Sequence, residues 1–245
     1  MTGGSDAGPG FSIAKTHLRL FIQAREAGYS KADILTLRRD YQLSTQLNGG
    51  CFRKNGAPLL THLVGAASVL ITEGQPMALV RAMLNHTTYR IGRFPTGARG
   101  FRADHQQFVI AQLGPEIEAL VRNYETFAYS PELAAQWVSS RRKFEGRDKD
   151  LLVMRLCNEA DDSADYSPAL ELRKHWADPA HIENLKVLCS QVGLTRLPSA
   201  FDFVLAQMAD ADWLSPETEL GHDMNAPSIS RYAKAVIMRG ISRLR

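Results

Sequence analysis

Two histidines inside apolar stretches are the residues of this sequence best placed to do chemistry. His62 lies in LLTHLVGAASVLIT, and His86 closes the stretch MALVRAMLNH. An imidazole in such surroundings is costly to bury unless its nitrogens have partners, and a partnered imidazole can serve as a general base or a metal ligand. Each histidine alone is more often a hydrogen-bonded core residue, so their functional interpretation depends on the residues that accompany them.

A third apolar stretch ends in polar and acidic residues that complement the two imidazoles. LLVMRLCNEADD, at 151–162, places Asn158 and Glu159 after an apolar first half. Carboxylate and amide groups position an imidazole, exchange protons with it or complete a metal site. We therefore predict His62, His86 and Glu159 as the candidate catalytic residues.

Residues that can hold an anion follow directly after the second histidine. Thr87, Tyr89 and Arg90 belong to the same helical turn and its end, and Arg93 lies in the glycine-rich loop RIGRFPTGARG. A guanidinium group matches the geometry of phosphate, sulfate and carboxylate groups. Together with Asn158, these four residues are the candidate substrate-binding set, and the predicted ligand is a small anionic molecule.

The composition excludes several classes of protein. Of the 245 residues, 44% are hydrophobic and 22% are charged, as in ordinary soluble proteins. The 29 basic and 26 acidic residues leave a net charge of +3, which does not indicate a nucleic-acid binder. No apolar run is long enough to span a membrane. Three widely separated cysteines favour a reducing, cytoplasmic location.

Helical spacing of apolar residues runs through nearly the whole chain, and no stretch alternates as a strand does. The pattern predicts an all-α protein, with a single domain of about ten helices at 11–245 behind a disordered tail at 1–10. We expect helices at 12–27 and 77–88, and we expect His105 to be exposed on a helix. A basic stripe in the last helix is either solvated or part of a subunit interface, and we predict a homo- or hetero-oligomer.

The order of the three motifs resembles that of the HD-domain superfamily, and in particular the helical hydrolase domain of the stringent-response nucleotide enzymes. The pattern there runs R-x-x-G-x-P-Y-x-x-H, then L-L-H-D, then K-L-A-D. RKNGAPLLTH, LNHT and RLCN follow one another in the same order here, and the likeness covers about 53–165. The resemblance implies an HD-like helical bundle with a pocket between the helices that carry the motifs.

In that family, imidazoles and carboxylates from separate helices bind divalent cations that activate water for the hydrolysis of phosphate esters. By resemblance, His62 and His86 match two histidine ligands, whereas Thr87 and Asn158 stand where the family has aspartates. Arg90 adds positive charge where the family has an acid. Because a divalent site without carboxylates is weak, we expect no metal and no other cofactor.

A second resemblance is to a little-characterised bacterial and fungal group of HD-like helical proteins. In that group the His-Asp pair becomes His followed by Ser or Thr, then an aromatic residue and a small loop. HTTYRIGRFP, QLGPEIEALVRNYETF and the Asn158-Glu159 pair look like that variant. The group implies the HD-like scaffold without implying a substrate.

The leading functional hypothesis is a metal-independent enzyme that acts on a small anionic metabolite. Both histidines are retained while carboxylates are lost and arginines are gained, which fits acid–base or leaving-group chemistry. His62 or His86 would be the base, and Arg90 or Arg93 would hold the anionic group. The resemblance implies an elimination, cyclisation or transfer step in a bacterial specialised-metabolite pathway, and a partner subunit that completes the site is compatible with it.

Two alternatives stay open beside this hypothesis. The first is a metal-dependent HD-type phosphohydrolase, in which Asp161 or Asp162 replaces the lost acidic ligands. The second is a non-catalytic subunit that binds or stabilises a partner, since degenerate members of enzyme folds persist in that role.

Overall fold

The computed structural model describes residues 11–53, 56–164, 167–170 and 174–210. Within these ranges the chain forms eleven α-helices and one short 3-10 helix at Lys174–Ala177, and it forms no β-sheet. The expected all-α class, with a single bundle of about ten helices, is confirmed. The helices are α1 (His17–Glu26), α2 (Lys31–Asn48), α3 (Leu59–Thr72), α4 (Met77–Leu84), α5 (Ala103–Leu113), α6 (Pro115–Thr126), α7 (Pro131–Ser139), α8 (Gly146–Ser163), α9 (Ser167–Leu170), α10 (Pro179–Val192) and α11 (Leu197–Ala209).

The central element of the bundle is α3, which has almost no polar face. Leu63, Ala66, Val69 and Leu70 are fully buried, and the helix packs against α1, α4 and, most extensively, α8. A helix that is apolar on all sides is stable only when other elements surround it. Its burial therefore carries His62 into the interior of the bundle.

The first helix begins at His17 and not at residue 12, as the apolar spacing predicted. Thr16 caps α1, because its side chain accepts a hydrogen bond from the Arg19 amide at 3.3 Å. The Ala14 amide, before the cap, donates to Ser68 Oγ of α3 at 2.8 Å. Apolar residues occur both in this segment, at Ile13 and Ala14, and in the first turn of the helix, at Leu18 and Leu20, so periodicity alone does not separate them.

The fourth helix ends at Leu84 and not at residue 88. Asn85 follows it, with a side-chain amide that donates to the Arg81 carbonyl at 3.0 Å and a side-chain oxygen that accepts from Ser44 of α2 at 2.9 Å. The chain then continues in consecutive turns through residue 91. This turn segment, 85–91, points its side chains in directions that a regular helix would not give.

The glycine-rich loop after the turn segment is folded onto α5 through His105. The imidazole stacks on Phe94 with ring centroids 3.7 Å apart. Its Nδ1 lies 2.8 Å from the Gly100 carbonyl, and its Nε2 lies 3.2 Å from Thr96 Oγ1. His105 is buried, so the expectation that it is exposed is wrong. Its partners belong to an irregular loop, which helical spacing does not reveal.

A carboxylate at the end of α3 anchors the later helices to the central one. Glu73 accepts hydrogen bonds from the backbone amides of Thr195 and Arg196, both at 3.0 Å. These amides precede α11, and a negative charge is favourable at a helix N-terminus. The contact joins α11 to α3, while α10 packs against α7, α8 and α11.

Two expected features, the tail at 1–10 and the basic stripe of the last helix, lie outside the described residues. Among the helices that the structure describes, none combines the length and the apolar character needed to cross a bilayer. Cys51, Cys157 and Cys189 are free thiols.

His181 of α10 is a buried imidazole without hydrogen-bonded ring nitrogens among the described residues. The ring lies edge-on to Trp176 and His175, with centroids 5.3 Å and 5.0 Å away. Burial and, to a lesser extent, the charge of His175 lower the pKa of His181 to about 4. Between about pH 6.5 and about pH 4, His181 is therefore neutral in the folded protein but protonated in the unfolded chain.

Replacing His181 with leucine is expected to stabilise the protein, and more so in acid. At neutral pH the gain is about 1 kcal/mol, because two unpaired buried nitrogens are removed. As pH falls from about 6.5 to about 4, the unfolded wild-type chain gains a proton that the folded one does not, so wild-type stability drops while the variant escapes this loss. Urea unfolding at two pH values measures both effects.

His105→Leu is the matched control for this substitution. Both nitrogens of His105 are hydrogen-bonded, so the same change there should destabilise the protein at either pH. Equal destabilisation by His181→Leu and His105→Leu would contradict the account of His181.

Candidate functional site

A cavity of about 250 Å³ lies where α3, α6, α8 and the turn segment meet. Both candidate histidines reach its wall, as do Thr87, Arg90 and Asn158. Its volume is somewhat below the roughly 300–1,000 Å³ of pockets that hold drug-sized ligands. The cavity therefore suits a small metabolite.

His62 is oriented by a carboxylate from α8. Its Nδ1 lies 2.7 Å from Asp161 Oδ2 and 3.3 Å from Asp162 Oδ1, and Lys15 Nζ lies 3.2 Å from the other oxygen of Asp161. Burial opposes the charge of Asp161, but the hydrogen bond from His62 and the nearby cations Lys15 and Arg53 outweigh it and hold the pKa of this carboxyl below its usual value. With Nδ1 donating to an ionised carboxylate, Nε2 is the nitrogen of His62 left for a ligand.

His86 is held by the backbone and is neutral. Its Nδ1 lies 2.7 Å from the carbonyl oxygen of Met83. A carbonyl only accepts, so Nδ1 carries the proton and Nε2 carries the lone pair. Burial, reinforced by the neighbouring His62, lowers the pKa of His86 well below 6.5. Among the described residues Nε2 makes no hydrogen bond, which leaves a neutral base on the cavity wall.

The two imidazoles belong to a continuous row of rings. His86 lies edge-on to His62 and to Tyr124 of α6, with centroids 5.2 Å and 5.1 Å apart. The guanidinium carbon of Arg155 then lies 4.6 Å from the centre of the Tyr124 ring. This cation–π contact fixes the Arg155 side chain across α6 and α8, so the row joins two bases to a cation.

Charges of both signs line the cavity. Arg53 contributes a guanidinium nitrogen 2.6 Å from Asp162 Oδ1, and Arg90 lies exposed near Glu125. Burial raises the pKa of Glu125, although the nearby Arg90 opposes this shift. With Arg155, three guanidinium groups and two carboxylates line the cavity, and Arg155 also lies 3.7 Å from the carboxylate of Glu159.

His62, Asp161 and Asp162 also form a group that fits a divalent cation by residue type. One potential ligand atom from each lies within 4.8 Å of the others, and imidazole with carboxylate is a common donor set for transition metals. Lys15 and Arg53 already contact the two carboxylates, and a metal ion would compete with them. The HD-like expectation placed the lost acids at Thr87 and Asn158, whereas the acids found beside His62 lie one helical turn farther along α8.

Three predicted site residues do not line the cavity. Tyr89 is buried and donates to Glu118 Oε1 at 3.0 Å, facing α6. Arg93 lies in a separate surface depression beside Cys51. The carboxylate of Glu159 lies 3.7 Å from Arg155 on α8. The turn segment aims Tyr89 away from the histidines, and the helical rotation of α8 turns Asp162 toward the cavity in place of Glu159.

Among the polar residues of the wall, sequence reasoning did not predict Arg53, Tyr124, Glu125 or Arg155. Arg155 was detectable, because it precedes Asn158 and Asp162 by three and seven positions and so shares their face of α8. Tyr124 gave no such signal, since its approach to His86 depends on how α6 packs.

No protein-family model matches this sequence, and comparison with curated proteins finds no relative. The HD-like character stays a prediction that rests on the three motifs. The function has to be argued from the chemistry of the cavity.

Proposed function

We propose that this protein is an enzyme that binds a small anionic metabolite in the cavity and moves a proton with His86 as the general base, without an obligatory metal. The observation that carries the proposal is the neutral imidazole of His86, whose Nε2 lies on a wall rich in guanidinium groups. A buried base with a lowered pKa stays unprotonated at neutral pH and is ready to accept a proton. Elimination, cyclisation and transfer can each begin with such a proton abstraction.

The neighbouring residues supply the other requirements of proton transfer. Asp161 fixes the orientation of His62, which lies beside His86 and can relay or return the proton. Arg90 stabilises negative charge that develops on the ligand.

A ligand screen by thermal stabilisation tests the proposal. The screen uses small carboxylates, phosphate esters and sulfate esters, followed by turnover measurements on the compounds that stabilise the wild type. Arg90→Ala is expected to weaken binding about tenfold or more, because it removes a charge-assisted contact. His86→Ala is expected to keep binding and to lower kcat by about 10²–10⁴-fold.

Arg93→Ala is the matched control, because Arg93 lies in the same loop region but outside the cavity. It should behave as the wild type. Unchanged turnover in His86→Ala would refute the assigned base, and binding without turnover in every variant would favour the non-catalytic alternative.

The metal-dependent phosphohydrolase is the second candidate, and the group of His62, Asp161 and Asp162 favours it. These three residues would hold the ion, and a bound divalent cation would supply Lewis acidity and an activated water. Elemental analysis of protein purified without chelator or added metal separates the candidates. About one equivalent of a transition metal, lost in Asp161→Asn, would support this candidate over the metal-independent one.

A further inference from the structure

Four buried polar atoms that belong to residues lining the cavity have no hydrogen-bond partner in the described part of the chain. The residues that carry three of them, Thr87, Tyr124 and Asn158, are 6%, 4% and 4% exposed. Buried polar groups in proteins are nearly always hydrogen-bonded, so several unpaired ones around one cavity indicate a ligand that pairs with them. The atoms are Thr87 Oγ1, Tyr124 Oη, Asn158 Oδ1 and Arg155 Nε.

The direction of each missing hydrogen bond follows from chemistry and from the neighbouring contacts. Arg155 Nε can only donate. The side-chain nitrogen of Asn158 donates to Asp162 Oδ2 at 3.1 Å, which fixes the amide orientation, since the opposite one would set two oxygens against each other. Asn158 Oδ1 can therefore only accept. His86 Nε2 also accepts, because its Nδ1 carries the proton, while Thr87 and Tyr124 can do either.

The wall thus needs two kinds of group from one ligand. Negatively charged oxygen satisfies Arg155 and the hydroxyl of Tyr124, but the same oxygen is repelled by Asn158 Oδ1 and by the lone pair of His86. These four groups are neighbours, since Asn158 and Arg155 share a face of α8 and Tyr124 contacts both Arg155 and His86. An oxyanion without hydrogen leaves the acceptors unpaired.

We infer that the ligand of this cavity is an oxyanion that carries its own O–H or N–H donor, with the donor directed to Asn158 Oδ1 or His86 Nε2. The inference rests on the proposed binding of an anion and adds the hydrogen that the ligand must bring. Where the donor faces His86 Nε2, it is also a proton that this base can accept, as cyclisation or transfer through an O–H or N–H group requires.

Two pairs of matched probes test the inference by titration calorimetry. At slightly alkaline pH, hydrogen phosphate and sulfate are tetrahedral dianions of similar size, and only the phosphate has an O–H. Glycolate and acetate form the second pair, in which only glycolate carries a hydroxyl on the adjacent carbon. We expect the donor-bearing member of at least one pair to bind at least about tenfold more tightly, since a site built to pair a polar group rejects the analogue that lacks it.

The pair that shows the preference identifies the source of the donor, either on the oxyanion itself or on the neighbouring carbon.

Asn158→Leu should reduce the preference for the donor-bearing probe. Thr87→Val, which keeps the side-chain shape, should lower affinity for all probes. Asn48→Leu is the matched control. Asn48 is a buried asparagine whose side-chain atoms also lack partners among the described residues, but it does not line the cavity, so the preference should persist.

Equal binding within both pairs would overturn the inference while leaving the anion site intact. Failure of all four probes to bind the wild type would overturn both the inference and the proposed anion binding. A full preference retained in folded Asn158→Leu and lost in Asn48→Leu would overturn the assignment of the acceptor.

Discussion

Gly65→Ala is expected to destabilise the protein by about 3–5 kcal/mol, the cost of depriving a buried charge of its partners. The sign is opposite to that expected from helix propensity, since alanine is favoured over glycine inside a helix by about 1 kcal/mol. Gly65 belongs to α3 and faces the carboxylate of Asp161, which orients His62.

The reason for the expected loss is steric. A β-carbon on Gly65 would lie 1.8 Å from Asp161 Oδ1 and 2.6 Å from Asp161 Cγ. The Asp161 side chain is 2% exposed and contacts His62 and Lys15, so it has no free space to enter. Either α3 and α8 separate or the carboxylate gives up both partners.

Chemical denaturation of a double-mutant cycle measures the effect and its cause. Asp161→Ala alone should be destabilising, because it removes the buried carboxylate that His62 and Lys15 contact. Gly65→Ala added to Asp161→Ala should cost little or even stabilise, because the atoms in conflict are gone. Additive losses in the cycle, or higher stability in Gly65→Ala alone, would show that the close approach does not control packing here.

Much of the architecture was predictable because it depends on local pattern. The apolar run around His62 indicated a buried helix, and it is the central helix of the bundle. His62, His86, Thr87, Arg90 and Asn158 were predicted as site residues and line one cavity. Their roles as catalytic or binding residues stay predictions.

What sequence reasoning did not supply depends on side-chain direction. Tyr89 was assigned to the site on the assumption that the helix continued past His86, but the chain turns at Asn85 and Tyr89 faces Glu118. A position-by-position match to the HD motif placed Asn158 where the family has an aspartate, and this correspondence stays a prediction. The packing of α8 on α3 brings Asp161 to His62, a contact that spacing along one chain does not reveal.

Arg81→Met is the second substitution with a large expected effect, about 3–5 kcal/mol of lost stability at neutral pH. Arg81 of α4 donates through Nε to Asp40 Oδ2 at 2.6 Å and through Nη2 to the Leu113 carbonyl at 3.1 Å. The Asp40 side chain is 2% exposed. Removing the guanidinium leaves a buried carboxylate without its partner and a free carbonyl at the end of α5.

Two further variants separate this cause from a simple loss of packing. Arg81→Met combined with Asp40→Leu removes both charges and should recover most of the stability, since well-packed apolar residues can replace a buried ion pair at little cost. Lys186→Met breaks the Lys186–Asp202 pair, whose side chains are 31% and 57% exposed. Its expected effect is below about 1 kcal/mol, as for other surface pairs.

The pH dependence of Arg81→Met gives a further check. Burial already raises the pKa of Asp40 against the lowering effect of Arg81, so loss of Arg81 raises it further. A carboxyl group whose pKa is raised in the folded state binds its proton at a higher pH in the folded protein than in the unfolded chain. The variant should therefore regain stability relative to wild type as pH falls from about 7 toward about 5. A deficit that stays constant over this range would mean that lost packing, and not the unpaired charge of Asp40, destabilises the variant.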